Sequence, residues 1–159
     1  MNALVSTIDI RPHYDIDLNL LEYARWLYPK RTLTHSIKEA TSYAPYDIIL
    51  ANCCFHHISD SELISSTLPE ISSMMHKNTI FILIDILPLE NNASLIRRAY
   101  NKLEAGHSKR CAEHLEKLLL VEFTIINKCV ERSHLLSLDS KANPIYNDLI
   151  IFALLKKGE

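Results

Sequence analysis

Glycine is what this chain has least of: among 159 residues only Gly106 and Gly158 are glycine. A loop that brings backbone amides against a phosphate or nucleotide normally needs several, because a Cβ blocks the approach and positive φ is costly for other residues. No stretch of the sequence qualifies, which excludes a P-loop or any comparable glycine-rich cradle built by these residues. Cysteine is also sparse. Cys53, Cys54, Cys111 and Cys129 are too few for a secreted disulfide scaffold and fit reduced, mostly buried thiols. Basic residues never cluster beyond a pair, as at Lys30-Arg31 and Arg97-Arg98, and the formal net charge is -2. The electrostatic footprint of a nucleic-acid binder is therefore missing. Apolar runs fall far short of the roughly 20 residues that a membrane helix needs. The N-terminus, MNALVSTIDIRP, lacks the basic and apolar regions of a signal peptide. Together these absences predict a cytoplasmic protein with neither nucleic acid nor membrane as partner.

What is present is a core. With 48% hydrophobic and 23% charged residues, residues 1–159 are expected to form a single globular domain. The organising stretch is Tyr46 to Asp85. Ile48-Ile49-Leu50-Ala51 and Ile80-Phe81-Ile82-Leu83-Ile84 are continuous apolar runs, the pattern of parallel strands buried on both faces. Between them Ser59-Asp60-Ser61-Glu62 reads as a capping box that opens a helix. Leu63, Ile64, Leu68, Ile71 and Met75 form its core face, and Pro69 must kink or restart it. Asn78, which tolerates positive φ, is expected to turn the chain into the second strand. The whole is a βαβ unit. In such sheets ligands bind outside the carboxyl ends of the strands, which is where Asn52, Cys53, Phe55, His56 and His57 fall.

The run DIILANCCFHHISD, followed by a helix and then FILID, resembles the fourth strand, loop, helix and fifth strand of class I S-adenosylmethionine-dependent methyltransferases, small-molecule branch. The resemblance extends from about Val5 to about Lys156. It implies an α/β, three-layer Rossmann-like fold whose sheet is mostly parallel with an antiparallel last strand. The first βα unit and its glycine motif have no counterpart, so the domain is expected to be N-terminally incomplete. Leu4 to Ile10 would be the second strand, with Asp9 in the place of the acidic residue that accepts hydrogen bonds from the cofactor ribose. A helix capped by Asp17 follows, then a third strand over Thr32 to Ile37. Ser36 stands where family members often carry an acidic residue that holds the adenine amino group, so Ser36 and Ile37 form a weaker clamp. Asn92 is expected to cap a helix carrying Leu95, Ile96 and Ala99 on one face. Ser108 would start another with Ala112, Leu115, Leu118 and Leu119 inward. Strands near Phe123 to Val130 and Leu149 to Leu155 would make the closing hairpin, with a polar loop over Ser137 to Asn147.

The resemblance implies S-adenosylmethionine as cofactor and a small-molecule methyl acceptor. Asp9, Ser36, Ile37, Asn52 and Cys53 are the expected cofactor contacts. His57 is the candidate general base, since an imidazole suits proton transfer near neutral pH. It could equally shape the pocket through backbone contacts. The Cys53-Cys54-x-His56-His57 cluster invites a metal, but adjacent cysteines at a strand end point to opposite sides, and none is expected. Without the glycine motif, cofactor affinity should fall by roughly two to four decades, since each hydrogen bond lost removes about 0.5 to 1.5 kcal/mol. The isolated chain is then expected to show no measurable binding, with Asp9→Ala leaving that unchanged. The alternative is a catalytically inactive remnant or partner subunit that keeps the fold for association. Loss of the first βα unit is expected to show as either a low melting temperature or a homodimer or partner chain that covers the exposed apolar surface.

Overall fold

The computed structural model describes residues 13–14, 22, 26, 33–34, 37–90, 93, 95, 98–99, 102, 108–136 and 145–158. The chain divides into two compact units, Met1–Pro45 and Tyr46–Glu159. Within the first, β1 (His13–Tyr14) pairs in parallel with β2 (Leu33–Thr34), His13 opposite Leu33. Ile37, expected to end the third strand, instead opens α1 (Ile37–Thr41). Lys38, Glu39 and Ala40 are good helix formers, and Glu39 lies in the first turn, where the helix dipole favours an acid. Asp9, Ser36 and Asn92 lie outside the described residues, as do the expected strand Leu4 to Ile10 and nearly all of the helix capped by Asp17.

The second unit carries a four-stranded sheet in the order β3-β4-β6-β5. Its strands are β3 (Tyr46–Asn52), β4 (Met75–Ile86), β5 (Phe123–Leu136) and β6 (Ile145–Lys156). β3 and β4 are parallel, and β6 runs antiparallel to both β4 and β5. Three strands thus point one way and the last runs against them, as the sequence implies. The hairpin is longer than expected. Its ladder continues beyond the edge of β4 through Arg132 opposite Asp148, where Arg132 Nε donates to Asp148 Oδ1 at 3.1 Å.

The crossover from β3 to β4 starts as read from the sequence. Glu62 N–H donates to Ser59 Oγ at 3.3 Å, capping α2 (Asp60–Glu62). The chain stays helical through a wide turn over Leu63–Thr67 into α3 (Leu68–Ser73). In that turn Leu68 N–H reaches back to the Leu63 carbonyl, five residues away. Pro69 explains it: proline has no N–H and its ring crowds the carbonyl four residues earlier, so one widened turn accommodates it without a break. Leu63, Leu68 and Ile71 are buried as expected, whereas Ile64 is exposed, and Met75, expected on the same helix face, is buried as the first residue of β4. Asn78 does not turn the chain into β4: it lies inside the strand, which begins at Met75, and among the described non-glycine residues positive φ occurs at Cys53. Instead Thr79 Oγ1 donates to the Tyr46 carbonyl and accepts from His76 N–H at 2.9 Å, closing an irregularity in the ladder.

One face of the sheet is the core. Phe81, Leu83, Phe123, Ile150, Phe152 and Leu154 are fully buried, and Leu115, Leu118 and Leu119 of α4 (Ala112–Leu119) are buried with them. The Phe55, Phe81 and Phe123 rings follow one another across it, with centroids 6.2 and 5.3 Å apart. The opposite face corrects the expectation that both strands are buried on both sides. Ile48, Leu50 and Ile80 are 43%, 57% and 38% exposed. An unbroken apolar run states what a strand could bury, while the neighbouring helices decide which half is covered. Two further expectations are corrected in the same way: Leu95 and Ala99 are exposed, and so are Cys111 and Cys129, with Cys53 and Cys54 half-buried.

Candidate functional site

The site begins where β3 ends. Asn52 is exposed at the carboxyl end of the strand. Cys53 N–H still bonds the Ile84 carbonyl at 2.8 Å, but its φ of 52° turns the chain out of the sheet. That conformation costs a non-glycine residue about 1–2 kcal/mol, and such strain tends to collect at binding loops. A single helical turn, Phe55–His57, follows, closed by His57 N–H to the Cys54 carbonyl at 3.1 Å and Ile58 N–H to the Phe55 carbonyl at 3.0 Å.

The two histidines of this turn have different surroundings. His56 is buried, with Nδ1 2.5 Å from Oδ1 of Asp85, itself 3% exposed. Asp85 Oδ1 also accepts from Ile86 N–H at 3.0 Å. Phe55 sits in the core, so the turn is anchored on both sides of the backbone. His57 is exposed and its ring lies 4.2 Å, centroid to centroid, from that of His56.

A second segment closes over the loop. Ser108 N–H donates to the His56 carbonyl at 2.9 Å. Arg110, with 4% of its side chain exposed, donates from one terminal nitrogen to the Phe55 carbonyl at 2.9 Å and from the other to the Ile58 carbonyl at 2.5 Å, while Nε reaches Asp60 Oδ1 at 2.6 Å. His114 Nε2 meets the other oxygen of Asp60 at 2.6 Å. The hydrogen bond from His114, reinforced by that from Arg110, holds the Asp60 carboxyl below its ordinary value. These bonds explain why α4 starts at Ala112 and not at Ser108. Residues 108–111 are spent on the loop, and Cys111 takes the extended N-cap position. Between Ser59-Asp60 and the stretch from Ser108 to His114 opens a cleft of about 430 Å3.

Of the residues singled out from the sequence, Asn52, Cys53 and His57 stand on this one loop. Ile37 belongs to the other unit. Asp85 and Arg110 were missed. The strand-end aspartate and the histidine doublet were both legible, and a buried partner for one histidine could have been asked for; nothing local marks Arg110, 50 residues from Asp60. Among the described residues no three His, Cys, Asp or Glu side chains converge where a metal could sit.

No protein-family model matches the sequence, and no curated protein matches it. Solved structures do. TehB from Haemophilus influenzae superposes with a TM-score of 0.60 at 12% identity, over 91% of this chain and 49% of that one. A putative type 11 methyltransferase from Sulfolobus solfataricus gives 0.59 at 16%, over 92% and 70%. The N-methyltransferase NodS from Bradyrhizobium japonicum gives 0.61 at 8%, over 91% and 72%. The fold is that of the class I S-adenosylmethionine-dependent methyltransferases. This chain spans about half the length of the H. influenzae protein. In the methyltransferase fold β3 and β4 stand as fourth and fifth strands and β5 and β6 as the closing hairpin, so the loop from Asn52 to His57 is the one after the fourth strand.

Proposed function

We propose that the chain takes part in S-adenosylmethionine-dependent methyl transfer to a small molecule. The observation that carries this reading is the loop Asn52 to His57, built at the carboxyl end of β3 in a methyltransferase sheet and fixed there by Asp85, Ser108 and Arg110. The cofactor, when bound, supplies an electrophilic methyl group. Asn52, exposed at the strand end, and the turned-out Cys53 fit a polar ligand lying across this end of the sheet; Asp9, Ser36 and Ile37 are the further contacts that the resemblance implies. The shallow, open cleft between Ser59-Asp60 and Ser108 to His114 adjoins the loop two residues after His57, and we assign the methyl acceptor to this end of the loop. His57, exposed and set on the buried His56, takes the acceptor's proton. Positioning does most of the work in such a displacement, and a base is needed only for that proton.

With only two glycines in the sequence, residues 1–159 supply part of the cofactor contacts in this reading, the rest coming from a partner chain or from further residues of a longer protein, and residues 1–159 alone bind in the millimolar range or more weakly. The test is a titration with S-adenosylhomocysteine followed by nuclear magnetic resonance, which reads weak binding. Shifts at Asn52, Cys53 and His57 that saturate, and that Asp9→Ala diminishes, support methyl transfer. No shift at the highest soluble concentration favours a second reading, in which the fold serves association. That reading is supported by the exposed apolar residues Ile48, Leu50 and Ile80 on one sheet face.

A further inference from the structure

The segment Ser108 to Arg110 holds the loop after β3 by its backbone. Arginine is rarely this buried without full pairing, and all three directions of the Arg110 fork are used: the Phe55 carbonyl, the Ile58 carbonyl and Asp60. The two carbonyls bracket His56 and His57, and Ser108 N–H takes the His56 carbonyl between them. The Phe55 carbonyl is also used within the turn, by Ile58 N–H, while a distant segment supplies donors to the Phe55, His56 and Ile58 carbonyls together. The ladder between β4 and β6 involves none of these groups. We infer that Arg110 is a positioning residue whose guanidinium sets the conformation in which the loop presents Asn52, Cys53 and His57. The consequence for ligand binding rests on the methyl-transfer reading; the conformational part does not.

Geometry makes the inference specific to arginine. A planar fork can span two carbonyls and a carboxylate at once, whereas a lysine ammonium on a single stem cannot. Arg110→Ala and Arg110→Lys should therefore behave alike at the loop, although only the second keeps the charge. The reporters are the amides of His57 and Ile58, which close the turn, and the His57 ring resonances. In the full chain, hydrogen exchange at these two amides should accelerate about tenfold or more in both variants while the amides of β4 and β6 keep their rates. The His57 ring signals should move while those of His76, paired with Asp47 elsewhere, stay. Where the wild type binds S-adenosylhomocysteine, both variants should bind it more weakly. Unchanged exchange at His57 and Ile58, or acceleration there only in step with β4 and β6, overturns the inference, the second outcome meaning general destabilisation. If Arg110→Ala does not fold, Arg110→Lys carries the same test. A wild type that shows no binding favours the association reading, and the exchange data still decide whether Arg110 positions the loop.

Discussion

The two faces of the sheet are made from nearly the same residues and have opposite fates. On β4, Phe81 and Leu83 are fully buried while Ile80, one step along, is 38% exposed. On β3, Ile48 and Leu50 lie beside Ile80 and the half-buried Ile82 in the parallel register, so the exposed Ile48, Leu50 and Ile80 adjoin in one apolar stripe. The covered face also carries the polar pair His56–Asp85, which is buried and hydrogen-bonded. Hydrophobicity alone therefore does not predict burial here. What separates the faces is which of them the crossover helix, α4 and the Phe55 loop close over.

The largest expected effect is a core truncation on the covered side. Phe81→Ala removes a ring that touches both Phe55 and Phe123, and should cost about 3–5 kcal/mol of unfolding free energy in urea. Leu50→Ala, deleting a comparable side chain from the open side, should change it by less than about 1 kcal/mol. Similar costs at both positions would mean that the open stripe is covered in solution. Next comes the polar pair on the covered face. Asp85→Ala leaves the His56 imidazole buried without this partner and should cost about 1–3 kcal/mol by the same measurement. It should also perturb the His57 ring signals through the adjoining His56 ring.

These contrasts show what the sequence could tell. The strands, the Ser59 cap and the inward positions of α4 follow from local patterns, because period and capping chemistry act over a few residues. The outward fate of Ile48, Ile64 and Leu50 does not, since exposure depends on elements distant in sequence. The same holds for the site. Asn52, Cys53 and His57 were legible from their place after an apolar strand. Arg110 was not, because its role comes from carbonyls some fifty residues away, whose positions only the folded chain defines. Pro69 does mark an irregularity, taken up by one widened helical turn, whereas Asn78 makes no turn and lies inside β4, where the side-chain hydrogen bonds of Thr79 close the ladder irregularity.

A smaller effect should appear at the rim of the covered face, in the cluster Asp60, Arg110 and His114. The Asp60 carboxyl is depressed by its hydrogen bonds from His114 and Arg110, so the folded protein binds that proton less readily than the unfolded chain. Its contribution is thus fully present above the unfolded value, near 3.8, and disappears as pH falls through the lower folded value. With the Asp60 side chain 46% exposed, water screens the pair, and the contribution should stay below about 1 kcal/mol. Wild type and Asp60→Asn, unfolded in urea, should differ by that amount near neutral pH and converge in strong acid. A gap that widens on acidification would contradict the assignment.

The smallest change in folding free energy, and the one that bears most on the open face, is expected for Leu50→Lys. Leu50 is 57% exposed on a strand whose described ladder partner is β4 alone, and surface substitutions of this kind usually shift stability by no more than about 0.5 kcal/mol. The charge would nevertheless sit in the middle of the stripe formed with Ile48 and Ile80. If that stripe is where a second copy of the chain packs, a lysine there must be desolvated in the contact, and association should weaken strongly although the monomer is as stable as before. Light scattering over a concentration series separates the two quantities. The expected result is a wild type whose apparent mass rises with concentration, and a Leu50→Lys protein that stays monomeric with an unchanged urea midpoint measured at low concentration. A wild type that remains monomeric throughout, with a melting temperature independent of concentration, would mean that the two faces differ in burial without the open one serving as an interface between copies.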